Sequence, residues 1–284
     1  MPVAIVSDTC HYLPAEVVAA HDIHQVSLYV HWPDETLRES EISDYGEFYG
    51  RLRSAQDLPS TSQPSIGDFL AVYQPLLEQG NEIVSIHLAG GMSGTVRSAE
   101  QARDQLGRDG ERIHVIDSAT ACGGQGLVVL AAAAAARAGG DGAAVSDRAR
   151  RARASLRMWF AIDTLEFLRR GGRIGGAQAW LGSTLKIKPI LTVESEITPI
   201  ERVRTSRRAF ERMVDLLTER ARDGADGWMV QHIQAPQEAE ALAARGRELF
   251  ECEPVCKSEI GPVIGAHVGP GLLGVGGVPA SFLR

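Results

Sequence analysis

Lysine is scarce in this chain. It occurs only at Lys186, Lys188 and Lys257, and arginine carries the rest of the basic charge. Positive charge is also outweighed: 29 Lys+Arg against 36 Asp+Glu give a formal net charge of −7. That balance excludes a general nucleic-acid binder, whose basic footprint dominates the count. Cysteine is equally sparse. Four residues at Cys10, Cys122, Cys252 and Cys256, irregularly spaced, exclude a secreted disulfide framework and suit reduced thiols in a cytoplasmic protein. Cys252-Glu-Pro-Val-Cys256 has no second ligand pair to complete a zinc site. No membrane-length apolar run is present; Gly126 to Ala136 is apolar for eleven residues and then meets Arg137, too short to span a bilayer. The N-terminus enters a strand-like segment without a basic region or signal-like stretch. Nucleotide signatures are missing as well: no Gly-x-Gly-x-x-Gly follows the first strand, and no Gly-x-x-x-x-Gly-Lys occurs.

What is present describes a globular protein. At 284 residues, with 44% hydrophobic and 23% charged content, the chain makes one large domain or two of ordinary size. Val3–Val6, Val26–Val30, Ile83–Ile86 and Ile113–Ile116 read as strands. Between them, helices are expected at Tyr45–Arg53, from Ile66 to Glu78 behind the capping box of Ser65 and Asp68, up to Leu106, and over Gln125–Arg137. Pro59 to Pro64 reads as a polar loop. Strand and helix in alternation predict a parallel, Rossmann-like sheet with right-handed crossovers over residues 1–157. Ser7-Asp8-Thr9, Ser93-Gly94-Thr95 and Asp117-Ser118 then gather in the crevice beyond the carboxyl ends of the strands.

The Arg-rich helix face from Ala144 to Arg157 leads to a change of pattern. Strands at Trp159–Ile162, Gly227–Ile233 and Val255–Ile260, a hairpin of Lys188–Val193 with Ile197–Val203, and helices around Phe210–Leu217 and Ala239–Phe250 predict a second, α+β domain over 158–284 with a mainly antiparallel sheet.

Three places suggest chemistry. In Leu165 to Ile174 a large apolar run breaks into Arg169-Arg170, Gly171-Gly172 and Arg173. A guanidinium held between glycine bends suits bidentate recognition of a carboxylate or phosphate; a Gly-capped helix end with basic residues on its dipole is the plainer account. Ser93, in Gly91-Met-Ser-Gly-Thr95, stands one residue short of a Gly-x-Ser-x-Gly elbow. With Asp117 or Asp163 and His267 it has the order of an α/β-hydrolase triad, although Thr95 stands where the elbow needs a very small residue. His267 lies among glycines and prolines from Gly261 to Gly271, read as a fixed loop that presents a ring N–H to an oxygen ligand.

Taken together, Val6-Ser-Asp8, Thr61-Ser-Gln-Pro64, Ser93-Gly-Thr95 with Ser98-Ala99, Asp117-Ser118, Leu165 to Ile174, Ile187-Lys-Pro-Ile190, Val203-Arg204-Thr205 and Gly261 to Gly271 resemble the DegV family over essentially the whole chain. Its best-understood members are the FakB fatty-acid-binding proteins. The resemblance implies a two-domain protein that holds one long-chain fatty acid, needs no cofactor or metal, and presents the acyl carboxylate to a FakA-like fatty-acid kinase. It assigns carboxylate binding to Thr61, Ser93 and His267, with Ser62, Thr95 and Arg173 close by, and co-operation with the kinase to Arg204. Such a protein is cytoplasmic, without an integral membrane segment, and has room for transient contact with a membrane. Where relatives often carry Asp-Ser-Thr-Ala-Asp, this chain has Asp8-Thr9-Cys10-His11-Tyr12. A serine hydrolase and a lipid-responsive regulator are the alternatives. The physics agrees with the acyl reading: each buried methylene gains about 0.8 kcal/mol, so the tail supplies most of the affinity, and the buried carboxylate needs several donors.

Overall fold

The computed structural model describes residues 1–182 and 187–284. The first half of the chain runs β1 (Val3–Asp8), α1 (Ala15–Ala20), β2 (Ile23–Val26), β3 (Tyr29–His31), β4 (Thr36–Arg38), α2 (Tyr45–Ser54) and β5 (Ser60–Ser62). It continues through α3 (Ile66–Glu78), β6 (Glu82–His87), α4 (Thr95–Gln105), β7 (Ile113–Asp117), α5 (Cys122–Arg137) and α6 (Gly142–Ser155). The β-branched runs pair as a four-stranded, wholly parallel sheet in the order β2-β1-β6-β7. The expected α3 forms between the expected ends, and its cap is reciprocal: Asp68 N donates to Ser65 Oγ and Ser65 N to Asp68 Oδ2.

The second half runs β8 (Arg157–Ala161), α7 (Glu166–Arg170), β9 (Lys188–Glu194), β10 (Glu196–Val203), α8 (Ser206–Arg222) and β11 (Gly227–His232). α9 (Pro236–Phe250), β12 (Lys257–Glu259), α10 (Pro262–Val268) and β13 (Leu273–Val278) complete it. Its six-stranded sheet has the order β10-β9-β8-β13-β11-β12, antiparallel except for the parallel pair β11/β12. One face is covered by α8 and α9, where Met213, Leu217, Leu242 and Trp228 are buried. The opposite face meets α5, which packs on both sheets. That position explains the composition of α5: buried on every side from Gly123 to Ala134, it is alanine- and glycine-rich because two sheets approach it closely.

Four local expectations are corrected. Val26–Val30 is not one strand; the chain leaves the parallel sheet after Val26 and enters a separate three-stranded antiparallel sheet, β4-β3-β5, at Tyr29. Pro59–Pro64 is not wholly loop, because Ser60–Ser62 forms the edge of that small sheet. The region around His267 is a helix, α10, with Pro262 at its start, where a missing N–H costs nothing. β13 was not expected at all. Three of the six residues in its Leu-Gly-Val-Gly-Gly-Val sequence are glycine, which weakens a strand pattern, yet it lies between β8 and β11. At Gly276 an added Cβ would sit 2.3 Å from Arg157 O, so neighbouring backbone demands the glycine.

Candidate lipid-binding site

Three elements bring the expected polar residues together. β5 carries Thr61, in register with Val30 of β3. The turn before α4 carries Ser93, whose Oγ lies 2.8 Å from Thr95 Oγ1. α10 carries His267, whose Nε2 lies 2.7 Å from Thr61 Oγ1. Thr61, Ser93, His267 and Arg173 border one cavity of about 40 Å³, with Ser62, Gln63 and apolar Leu28, Leu88 and Leu168. Thr95 is fully buried behind Ser93 and does not border it. Ser62 does, but its hydroxyl is bonded to His31 Nε2 at 2.8 Å. Arg204 is exposed and lies elsewhere, beside Trp180 and Leu181.

His267 is the most informative member. Burial, reinforced by Arg173, lowers its pKa to about 4, so the ring is neutral near pH 7. Among the described residues its buried Nδ1 has no hydrogen-bond partner. Gly171 makes room for it: an added Cβ there would sit 2.3 Å from Nδ1. When Nε2–H donates to Thr61 Oγ1, the Thr61 hydroxyl proton is free to donate to an oxygen in the cavity. Arg173 is exposed and bonded by Nη1 to Gly171 O at 2.8 Å, so it adds positive charge at the rim without filling the pocket.

A second cavity, also about 40 Å³, lies alongside and is almost wholly apolar. Met92, Ile264 and Val268 line both cavities. Beyond them the second is walled by Cys122, Met158, Phe160, Val193, Ile197 and Leu272. Its Gln231 is already engaged, accepting from Gly123 N and donating to Ser258 Oγ. The cavity that carries the polar groups is itself mostly apolar and shares a wall with the second, with flexible methionine in the shared wall and in the far wall, where it can repack around a guest. As they stand the cavities have room for a few water-sized groups, and a larger guest would have to displace side chains.

Sequence reasoning missed Glu39. Its buried carboxylate accepts from Tyr12 OH at 2.7 Å, from Val263 N at 2.8 Å and from the Thr9 hydroxyl, fastening the start of α10. Burial raises its pKa, and the bonds from Thr9, Val263 and Tyr12 only partly oppose that. Nothing in the sequence marks Glu39, because its partners are distant in the chain. The divergent corner is also structural: His11 Nδ1 accepts from Leu13 N at 2.9 Å, and burial lowers its pKa to about 4.

The triad expected of a hydrolase does not assemble. Among the described residues no carboxylate meets His267; Asp117 accepts from Gly90 N and Ala119 N, and Asp163 pairs with Lys188. No group of three or more His, Cys, Asp or Glu side chains among the described residues could hold a metal ion. No helix among them is long and apolar enough to cross a membrane.

Comparison with known proteins gives a consistent result. The model for uncharacterised proteins of the DegV family matches residues 2–280. A DegV domain-containing protein of Streptomyces coelicolor is 38% identical over 276 residues, covering 96% of this chain and 97% of the relative. A structure described as fatty-acid binding of a DegV family protein from Thermus thermophilus superposes with a TM-score of 0.88 at 33% identity, covering 98% of this chain and 99% of that one. The crystal structure of DegV, a fatty acid binding protein from Bacillus subtilis, superposes at 0.87 with 35% identity, covering 97% and 98%.

Proposed function

The chain belongs to the DegV family, and from that membership we propose that it is a fatty-acid-binding protein, not itself an enzyme, which buries a long acyl chain and offers the carboxylate to a partner. The observation that carries this reading is the pair of adjoining cavities: hydroxyls and a neutral imidazole in one, apolar walls in the other, joined through Met92, Ile264 and Val268. In the proposed complex Thr61 and Ser93 donate to the carboxylate, His267 orients Thr61, and Arg173 stabilises the charge from the rim. Tail burial supplies most of the affinity at about 0.8 kcal/mol per methylene, and the head-group donors fix orientation. Native mass spectrometry of protein purified from cells is expected to show a bound species of fatty-acid mass; apoprotein that takes up no added fatty acid overturns the reading.

The finer role we propose is delivery of the carboxylate to a FakA-like fatty-acid kinase in the cytoplasm, with transient membrane contact during loading and Arg204 at the kinase surface. Support comes from the exposed carboxylate-side rim and from the exposure of Arg204. Addition of such a kinase with ATP to loaded protein should yield acyl phosphate, trapped as a hydroxamate. Arg204→Ala should reduce that yield while leaving fatty-acid binding intact.

A further inference from the structure

β13 presents alternate residues to opposite faces of its sheet. Leu273 and Val275 point to the α8/α9 side and are buried there. Gly274 faces the other way and lines the apolar cavity, flanked in register by Phe160 of β8 and Gln231 of β11. The three glycines of this strand are not equivalent. At Gly276 an added Cβ would sit 2.3 Å from Arg157 O, and at Gly277 3.0 Å from backbone oxygens of Ala225 and Gly227. At Gly274 the nearest atoms would be at 3.6–3.7 Å: Gln231 O, a Leu272 methyl and Phe160 Cβ. Those are ordinary van der Waals distances, and Gly274 is not among the residues of positive φ. Packing and backbone conformation therefore account for glycine at 276 and 277 but not at 274. There a glycine weakens the strand for no local return, and what it leaves is space in the cavity floor.

We propose that Gly274 is a specificity-determining residue, a notch in the floor of the tail cavity that sets the longest acyl tail the protein accepts. This rests on the fatty-acid reading above and adds the dimension selected. The bare backbone at 274 lets the tail lie against the sheet between Phe160 and Gln231. A side chain at 274 would occupy the space of the terminal methylenes and leave the carboxylate donors untouched, so it would penalise long tails and spare short ones.

The experiment is competition binding of an equimolar mixture of lauric, myristic, palmitic and stearic acids to the full chain, with bound species read by mass spectrometry. Gly274→Val, which suits a central strand, is the main variant. Gly274→Ala, whose methyl meets its neighbours only at contact distance, is the second should valine impair folding, and thermal melting reports the fold of both. Excluding about two methylenes from burial predicts that Gly274→Val shifts the stearic-to-lauric ratio roughly tenfold towards lauric acid, and Gly274→Ala in the same direction by a smaller factor. Folded variants with the wild-type profile overturn the role of Gly274 and leave fatty-acid binding standing. Wild-type protein that captures none of the four acids instead overturns the fatty-acid reading itself.

Discussion

Two histidine networks in this molecule use the same residue types to opposite ends. Inside the parallel sheet, Tyr73 OH donates to Ser85 Oγ at 2.7 Å, Ser85 lies 2.7 Å from His87 Nε2, and His87 Nδ1 lies 3.1 Å from Asp8 Oδ2. Serine, histidine and aspartate stand here in the order of a catalytic triad, yet all are fully buried and none borders a cavity described above. At the lipid site, His267 has Thr61 on one nitrogen and, among the described residues, nothing on the other. The closed chain has every valence filled and no route for a substrate; the open one faces a cavity and has no acid to make its imidazole a base. A triad is thus recognised by access as much as by distance. An incomplete hydrogen-bond set beside a cavity marks a place to look for a ligand, and here the group left to donate to one is the Thr61 hydroxyl.

Breaking the closed network should have the largest effect. His87→Ala takes the imidazole from Asp8, which keeps the amides of Cys10 and Leu88, and from Ser85, which keeps Tyr73, and it removes a ring packed edge-on against Phe69 at 5.0 Å. Loss of a buried paired group costs about 3–5 kcal/mol, to be read from urea denaturation. Protein that stays fully stable while losing fatty-acid binding would reverse the assignment of the two networks.

Next comes the open site. The double change Thr61→Ala, Ser93→Ala removes two donors to the carboxylate and should weaken fatty-acid binding by about 3 kcal/mol, roughly a hundredfold, in displacement of a fluorescent fatty acid. Stability should change little, because among the described residues the Ser93 hydroxyl is bonded only to the neighbouring Thr95 and the Thr61 hydroxyl only to His267. Wild-type Ser93 should resist labelling by a fluorophosphonate. Labelling, with ester cleavage lost on Ser93→Ala, would turn the site into that of a hydrolase.

How much of this contrast the sequence displayed depends on where the information resides. The strands β1, β6 and β7 announce themselves as β-branched runs, and α3 by Ser65 and Asp68, because burial and capping are local in sequence. β5 is Ser-Thr-Ser, polar enough to pass for loop, and is a strand only because β3 pairs with it. β13 is legible only once β8 and β11 fix its place. Pro262 stands at the start of α10, but together with Gly261 and Gly265 it reads as part of a loop. Ser93 drew notice through its near-elbow setting and His267 through the glycines and prolines around it, whereas Thr61 came only from the family resemblance. Glu39 and His87 had no such signal, since their roles come from partners across the fold, such as Val263 for Glu39 and Asp8 for His87.

Acid distinguishes the regions less sharply but in a defined direction. Burial lowers His11 and His267 from 6.5 to about 4, so between those values the unfolded chain binds protons that the folded chain does not. Stability should therefore fall as pH drops from about 6.5 to about 4, by about 3 kcal/mol per histidine at most. Glu39 acts in the opposite sense: its raised pKa contributes stability at low pH that is lost as pH rises through the folded value. Urea midpoints across this range should show the net fall, and His11→Gln should flatten it. A His11→Gln variant whose midpoint falls on acidification as steeply as the wild type's would mean that His11 is not neutral as folded.

The smallest effect separates the pocket from its rim. Arg173 is exposed and bonded to the carbonyl of its own turn at Gly171, so its attraction for a carboxylate acts through solvent. Exposed charge pairs are worth about 0–1 kcal/mol and fade with salt. Arg173→Ala should then weaken fatty-acid binding by roughly fivefold or less, well short of the Thr61, Ser93 double change, and added salt should shrink the difference further. If Arg173→Ala proves the more damaging and its effect survives high salt, the guanidinium turns inward on binding. Carboxylate recognition would then centre on the Gly171-Gly172-Arg173 turn rather than on the hydroxyls of β5 and the turn before α4.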